Sequence, residues 1–85
     1  MPKIILGLCT VEFELPGVTT LKEKRSIVKS MLTRLHNQFN ISSAEIDFLD
    51  AVNASVIAFT LVTNDTRYAN QVISTVLNWI EKNYP

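Results

Sequence analysis

Leu15-Pro16-Gly17-Val18-Thr19-Thr20-Leu21-Lys22-Glu23-Lys24-Arg25-Ser26 is the stretch that decides the fold, because it ends a strand and begins a helix. Pro16 and Gly17 break an extended run. Thr20 then has the position of an N-cap, with Glu23 three residues later to complete a capping box. Upstream, from Lys3 to Leu15, the pattern has period two. Ile5, Cys9, Val11, Phe13 and Leu15 share one side with Gly7, and Ile4, Leu6, Leu8, Thr10, Glu12 and Glu14 share the other. The first half of this strand is apolar on both sides and the second half on one.

Downstream, steps of 100° per residue gather Leu21, Ile27, Val28, Met31, Leu32, Leu35 and Phe39 into one arc, so the helix runs to about Gln38 with that arc on a sheet. The polar segment Asn37 to Asn40 ends it. A second strand is expected over Ile41 to Phe48 and a turn over Asp50 to Asn53. A third strand, Ala54 to Thr63, is almost continuously apolar, the pattern of a strand covered on both sides. Asn64 and Asp65 can cap a last helix from Thr66 to about Lys82. The order β-α-β-β-α predicts an α+β, ferredoxin-like split βαβ sandwich: an antiparallel sheet with two helices on one face. The fourth strand of that architecture is expected to be absent or very short, since only Asn83, Tyr84 and Pro85 follow the last helix.

Eighty-five residues form a single domain, residues 1–85. Apolar residues make up 47% of the chain, and the single cysteine excludes an internal disulfide, so the core must hold without one. Neither a secretory leader nor the roughly 20-residue apolar run of a membrane span is present, and a soluble cytoplasmic protein without cofactor is expected. The formal net charge is zero, so attraction to nucleic acid has to come from local segregation of charge.

Such segregation is found on the first helix. Lys22, Arg25 and Lys29 lie within about 60° of one another, with His36 further along. No carboxylate is expected to join them, Glu23 lying on the far side with Arg34. Three cations in this spacing can follow consecutive phosphates of an RNA backbone. Lys24 instead falls inside the apolar arc, where it either snorkels past Leu21 and Val28 or meets a carboxylate at the sheet end. Glu45 and Asp47 share a strand face by alternation while Asp50 sits in the turn; this spacing matches no metal loop. His36 suits the negative end of the helix dipole. Cys9, mid-strand in an apolar setting, is expected to be an inert thiol. No catalytic residues are assigned, and an enzyme is not expected. On the last helix, Tyr68 and Trp79 mark one margin of a wide apolar arc and are read as core flank. An open, apolar edge on the first strand predicts a homodimer, through that strand or the sheet face around Ile4, Leu6 and Leu8.

Ile5-Leu6-Gly7, Leu15-Pro16-Gly17, Leu21-Lys22-Glu23-Lys24-Arg25-Ser26, Phe39-Asn40, Ala44-Glu45 and Val62-Thr63-Asn64-Asp65 together resemble the YlxP-like family of small bacterial proteins. The resemblance implies a ferredoxin-like domain of no established activity, with Leu21 to Ser26 as hallmark positions. It also implies a task near RNA or the ribosome, since genes of the family lie close to those for translation initiation and ribosome maturation factors. Glu14-Leu15-Pro16-Gly17 and Phe39-Asn40-Ile41 are similar to small ACT domains, which implies an alternative role as an amino-acid sensor with its ligand near Pro16-Gly17 at the dimer interface. A purely structural adaptor is the third reading. Acylphosphatase chemistry is rejected, because the loop Pro16 to Thr20 has one glycine and no arginine to cradle a phosphate.

Overall fold

The structure, a computed structural model, describes residues 2–84. Its elements are β1 (Ile5–Glu14), α1 (Leu21–Gln38), β2 (Ser42–Asp47), β3 (Ala54–Thr63) and α2 (Thr66–Asn83). The sheet order is β1-β3-β2, both pairings antiparallel. β1 and β2 are therefore parallel and separated by β3, the split βαβ of a ferredoxin-like sandwich. Three strands are present among the described residues, with β1 at one edge of the sheet. No helix among them is long and apolar enough to cross a membrane.

The hinge segment behaves as its residues require. Pro16 and Gly17 occupy the middle of a turn closed by the Val18 N–H on Leu15 O, and Gly17 has φ +85, the conformation glycine tolerates there. The Thr20 hydroxyl accepts the Glu23 N–H at 3.1 Å, which is one half of the expected capping box; the reciprocal bond from the Thr20 N–H to the Glu23 carboxylate is not formed among the described residues. Thr20→Ala is expected to cost about 1 kcal/mol, read as a lower Tm of the folded chain. Asp65 caps α2 in the same way, accepting the Arg67 N–H at 2.9 Å.

The core lies between the sheet and the helices, built from Met31 and Leu35 of α1, Ile57 and Phe59 of β3, and Val76 and Ile80 of α2. α1 packs on β2, and α2 on β1 and β3. Gly7 lets α2 come close to β1: a Cβ there would sit 2.9 Å from Leu61 Cδ2 and 3.3 Å from Ile73 Cδ1.

Three expectations need correction. β3 is covered on one side only: Ser55, Ile57, Phe59 and Leu61 are buried under the helices, whereas Val62 on the other face is 69% exposed. Its apolar run reflects a central strand with small or aliphatic residues outward, not a second layer within one chain. Alternation in β2 is broken by a bulge between Glu45 and Asp47, which opposes the two to Ile57 and Val56. An extra residue on one strand shifts everything beyond it to the other face, so Glu45 and Asp47 part company. Tyr68 is exposed at the start of α2 rather than part of the core flank. Trp79 does flank the core, edge-on to Phe39 at 6.1 Å between centroids.

Candidate functional site

The head of α1 meets the end of β2 and the turn beyond it. Of the block Leu21 to Ser26, Lys24 alone is buried; Leu21 is half-buried and Lys22, Glu23, Arg25 and Ser26 are exposed. Lys24 does not snorkel. Its Nζ stands 2.7 Å from Glu45 Oε2 and donates to the carbonyls of Phe48 (2.8 Å) and Leu49 (3.3 Å). An ammonium has three protons, and here three acceptors receive them. Glu45 Oε2 also accepts the hydroxyl proton of buried Ser55 at 2.6 Å. Burying a charge is costly unless it is both paired and hydrogen-bonded, and this cluster meets both conditions. It holds the chain after β2 in place, including Phe48 at φ +58, a left-handed conformation uncommon for a bulky residue.

Ser55 was not singled out from the sequence, although a signal existed. It occupies an inward position of β3, in step with Ile57 and Phe59, as Glu45 does on β2 before the bulge. Polar residues at inward positions of neighbouring strands, with a lysine in the apolar arc of the helix above, are the pattern of a buried polar cluster.

Lys22, Arg25 and Lys29 all lie exposed on α1. The stripe does acquire a carboxylate: Asp50, from the turn, brings Oδ1 to 3.5 Å from Arg25 Nη2. The helical wheel could not show it, because Asp50 arrives through tertiary folding. Both partners are largely exposed, 60% and 92%, which is the setting of pairs worth about 0–1 kcal/mol. His36 Nε2 lies 2.7 Å from the Ser43 hydroxyl, tying the last turn of α1 to β2. Arg34, on the far side of α1, stacks over Trp79 and Tyr84 at 5.0 and 5.3 Å and donates to Tyr84 Oη and Asn83 Oδ1.

A family model described as "Protein of unknown function (DUF503)" matches residues 6–85, nearly the whole chain. The chain belongs to the DUF503 family. A relative is the "Uncharacterized protein YlxP" of Bacillus subtilis (strain 168), 29% identical over 77 residues that cover 91% of this chain and 84% of the relative. The likeness read from Leu21 to Ser26 and its companion segments is thereby established.

Two other places in this DUF503 chain are relevant to ligands. Beside Pro16, a shallow recess of ≈ 290 Å³ is lined by Glu14, Leu15, Pro16, Asn53 and Ala54. Its lining carries one carboxylate, that of Glu14, and the side-chain amide of Asn53. Among the described residues, no group of three or more His, Cys, Asp or Glu side chains is close enough to hold a metal ion. Cys9 is half-buried, its Sγ 3.8 Å from Thr10 O.

Proposed function

We propose that this DUF503 protein is a non-catalytic binding module that holds the phosphate backbone of RNA, free or in a ribosomal particle, along α1. Lys22, Arg25 and Lys29 are the contacts. The observation that carries this reading is a helix face with three exposed cations, Arg25 loosely paired with Asp50, in a chain whose net charge is zero. The sheet itself is unsuited to the task. RNA-binding sheets stack bases on aromatic side chains, whereas the helix-free face of β1 offers Leu6, Leu8, Thr10, Glu12 and Glu14. The ribosomal setting implied by the family resemblance supports RNA over other polyanions. A non-catalytic role fits the burial of Lys24 and Ser55, 0% and 1% exposed, which keeps both away from a substrate in solvent.

Contacts to phosphate supply affinity without sequence choice. Titrating a labelled short single-stranded RNA at several salt concentrations tests this. Wild-type protein is expected to bind at low salt, and the combined Lys22→Ala, Arg25→Ala, Lys29→Ala variant to lose about 2 from the slope of log K against log salt. Absence of wild-type binding at low salt, or an unchanged slope in the variant, overturns the assignment.

A further inference from the structure

The helix-free face of the sheet is apolar and uneven. Ile4 just before β1, and Leu6 and Leu8 on it, stand 65–70% exposed, and Val62, the register partner of Leu6, is 69% exposed beside them. Next to this ridge the surface drops. Leu8 walls a depression of ≈ 180 Å³ whose other lining includes Ser42, Ala44, Ala58 and Thr60, with Ala44 and Ala58 opposite each other in the ladder. At the far end of β1 the same face turns acidic, with Glu12 and Glu14.

We infer that this face is the interface of a homodimer in which two sheets pack face to face about a two-fold axis. The Leu6–Leu8 ridge of each copy seats in the Ala44–Ala58 depression of the other. A two-fold interface has to be complementary to itself, each residue meeting in its partner what the partner meets in it. Ridge and depression lie side by side on one surface, so a single rotation fills both. The depression has room for a branched aliphatic side chain and is lined largely by small residues. The charge pattern selects the same arrangement. Contact centred on the ridge leaves Glu12 and Glu14 at the perimeter, where interfaces carry their polar rim, and keeps like charges out of the dry centre. Packing sheet on sheet at about 10 Å also supplies the second layer that the apolar run of β3 calls for. This association is independent of nucleic-acid binding.

Pairing of two β1 edges is the competing geometry, and the ladder separates the two. The Leu15 N–H goes to Asn53 O and the Thr60 hydroxyl to Gly7 O, so odd-numbered residues of β1 direct their backbone groups at β3. The amides of Leu6, Leu8 and Thr10 therefore point to the outer edge. Light scattering on the intact chain, with amide exchange followed by NMR on the wild type, provides the test. The expected result is a dimer whose Leu6, Leu8 and Thr10 amides exchange rapidly. Ala58→Phe, which fills the depression from a position outside the core, is expected to keep its fold by circular dichroism and to weaken the dimer by about 30-fold or more. Val62→Lys, on the ridge side, is a second variant with the same expected loss. A wild-type monomer at high micromolar concentration overturns the inference. So do slow exchange of those three amides, which marks edge pairing, and folded Ala58→Phe and Val62→Lys variants that dimerise as tightly as the wild type.

Discussion

Lys24→Met is expected to destabilise the chain by about 3–5 kcal/mol, the cost of breaking a buried ion pair from one side. Methionine fills the stem's volume but leaves the Glu45 carboxylate, 13% exposed, with the Ser55 hydroxyl as its remaining donor. The carbonyls of Phe48 and Leu49 lose their donor as well. Set against the roughly 5–15 kcal/mol of a typical domain, one substitution removes a large share of the stability. Urea unfolding followed by circular dichroism measures it. The double variant Lys24→Met, Glu45→Leu is expected to recover much of the loss, because no uncompensated charge then remains in the interior. A single variant within 1 kcal/mol of wild type would show that the cluster contributes little. The loss should also reach the chain after β2, where faster amide exchange from Phe48 to Asn53 is expected in a partly stable variant, since Lys24 holds that segment from below.

Phe59→Ala is expected to be equally severe, at about 3–5 kcal/mol, through a different cause. Phe59 is 1% exposed at the middle of the central strand, packed with Met31, Leu35, Val76 and Ile80. Both helices lean on it, so neither can move in to fill the space without leaving the other. Phe59→Leu retains most of the volume and should lose less than about 1.5 kcal/mol. The two substitutions compared by thermal and urea unfolding separate cavity formation from general sensitivity of the strand. Equal losses in both would mean that ring shape, not volume, matters there.

These two sites differ in how far the residue pattern reveals them. Phe59 lies in the continuous apolar run of the third strand, so its burial agrees with the strand reading, although that run by itself does not separate the face of Phe59 from that of Ala58. Lys24 is marked only as an anomaly, a cation at an apolar angle. Its partner depends on the order β1-β3-β2, which places Glu45 next to Ser55 on the neighbouring strand and beneath α1. The bulge after Glu45 has no local signature in Glu45-Ile46-Asp47, so simple alternation misplaces Asp47. Arg25 and Asp50 are 25 residues apart and meet through the same turn. Tyr68 shows the converse limit: it lies at the margin of the apolar arc of α2, about 100° from buried Ala69, and stays exposed.

Residue order by itself determined the five elements, their caps, the inward faces of β1 and α1 and the family, because periodicity, Pro16-Gly17 and Thr20 act within a few residues of one another. Tertiary structure alone decided where Lys24 finds its counter-charge, which face of β3 stays open, and that a leucine ridge lies beside an alanine depression. Those outcomes rest on contacts between strands and helices distant in the chain, where geometry is set by pairing register and packing rather than by local preference.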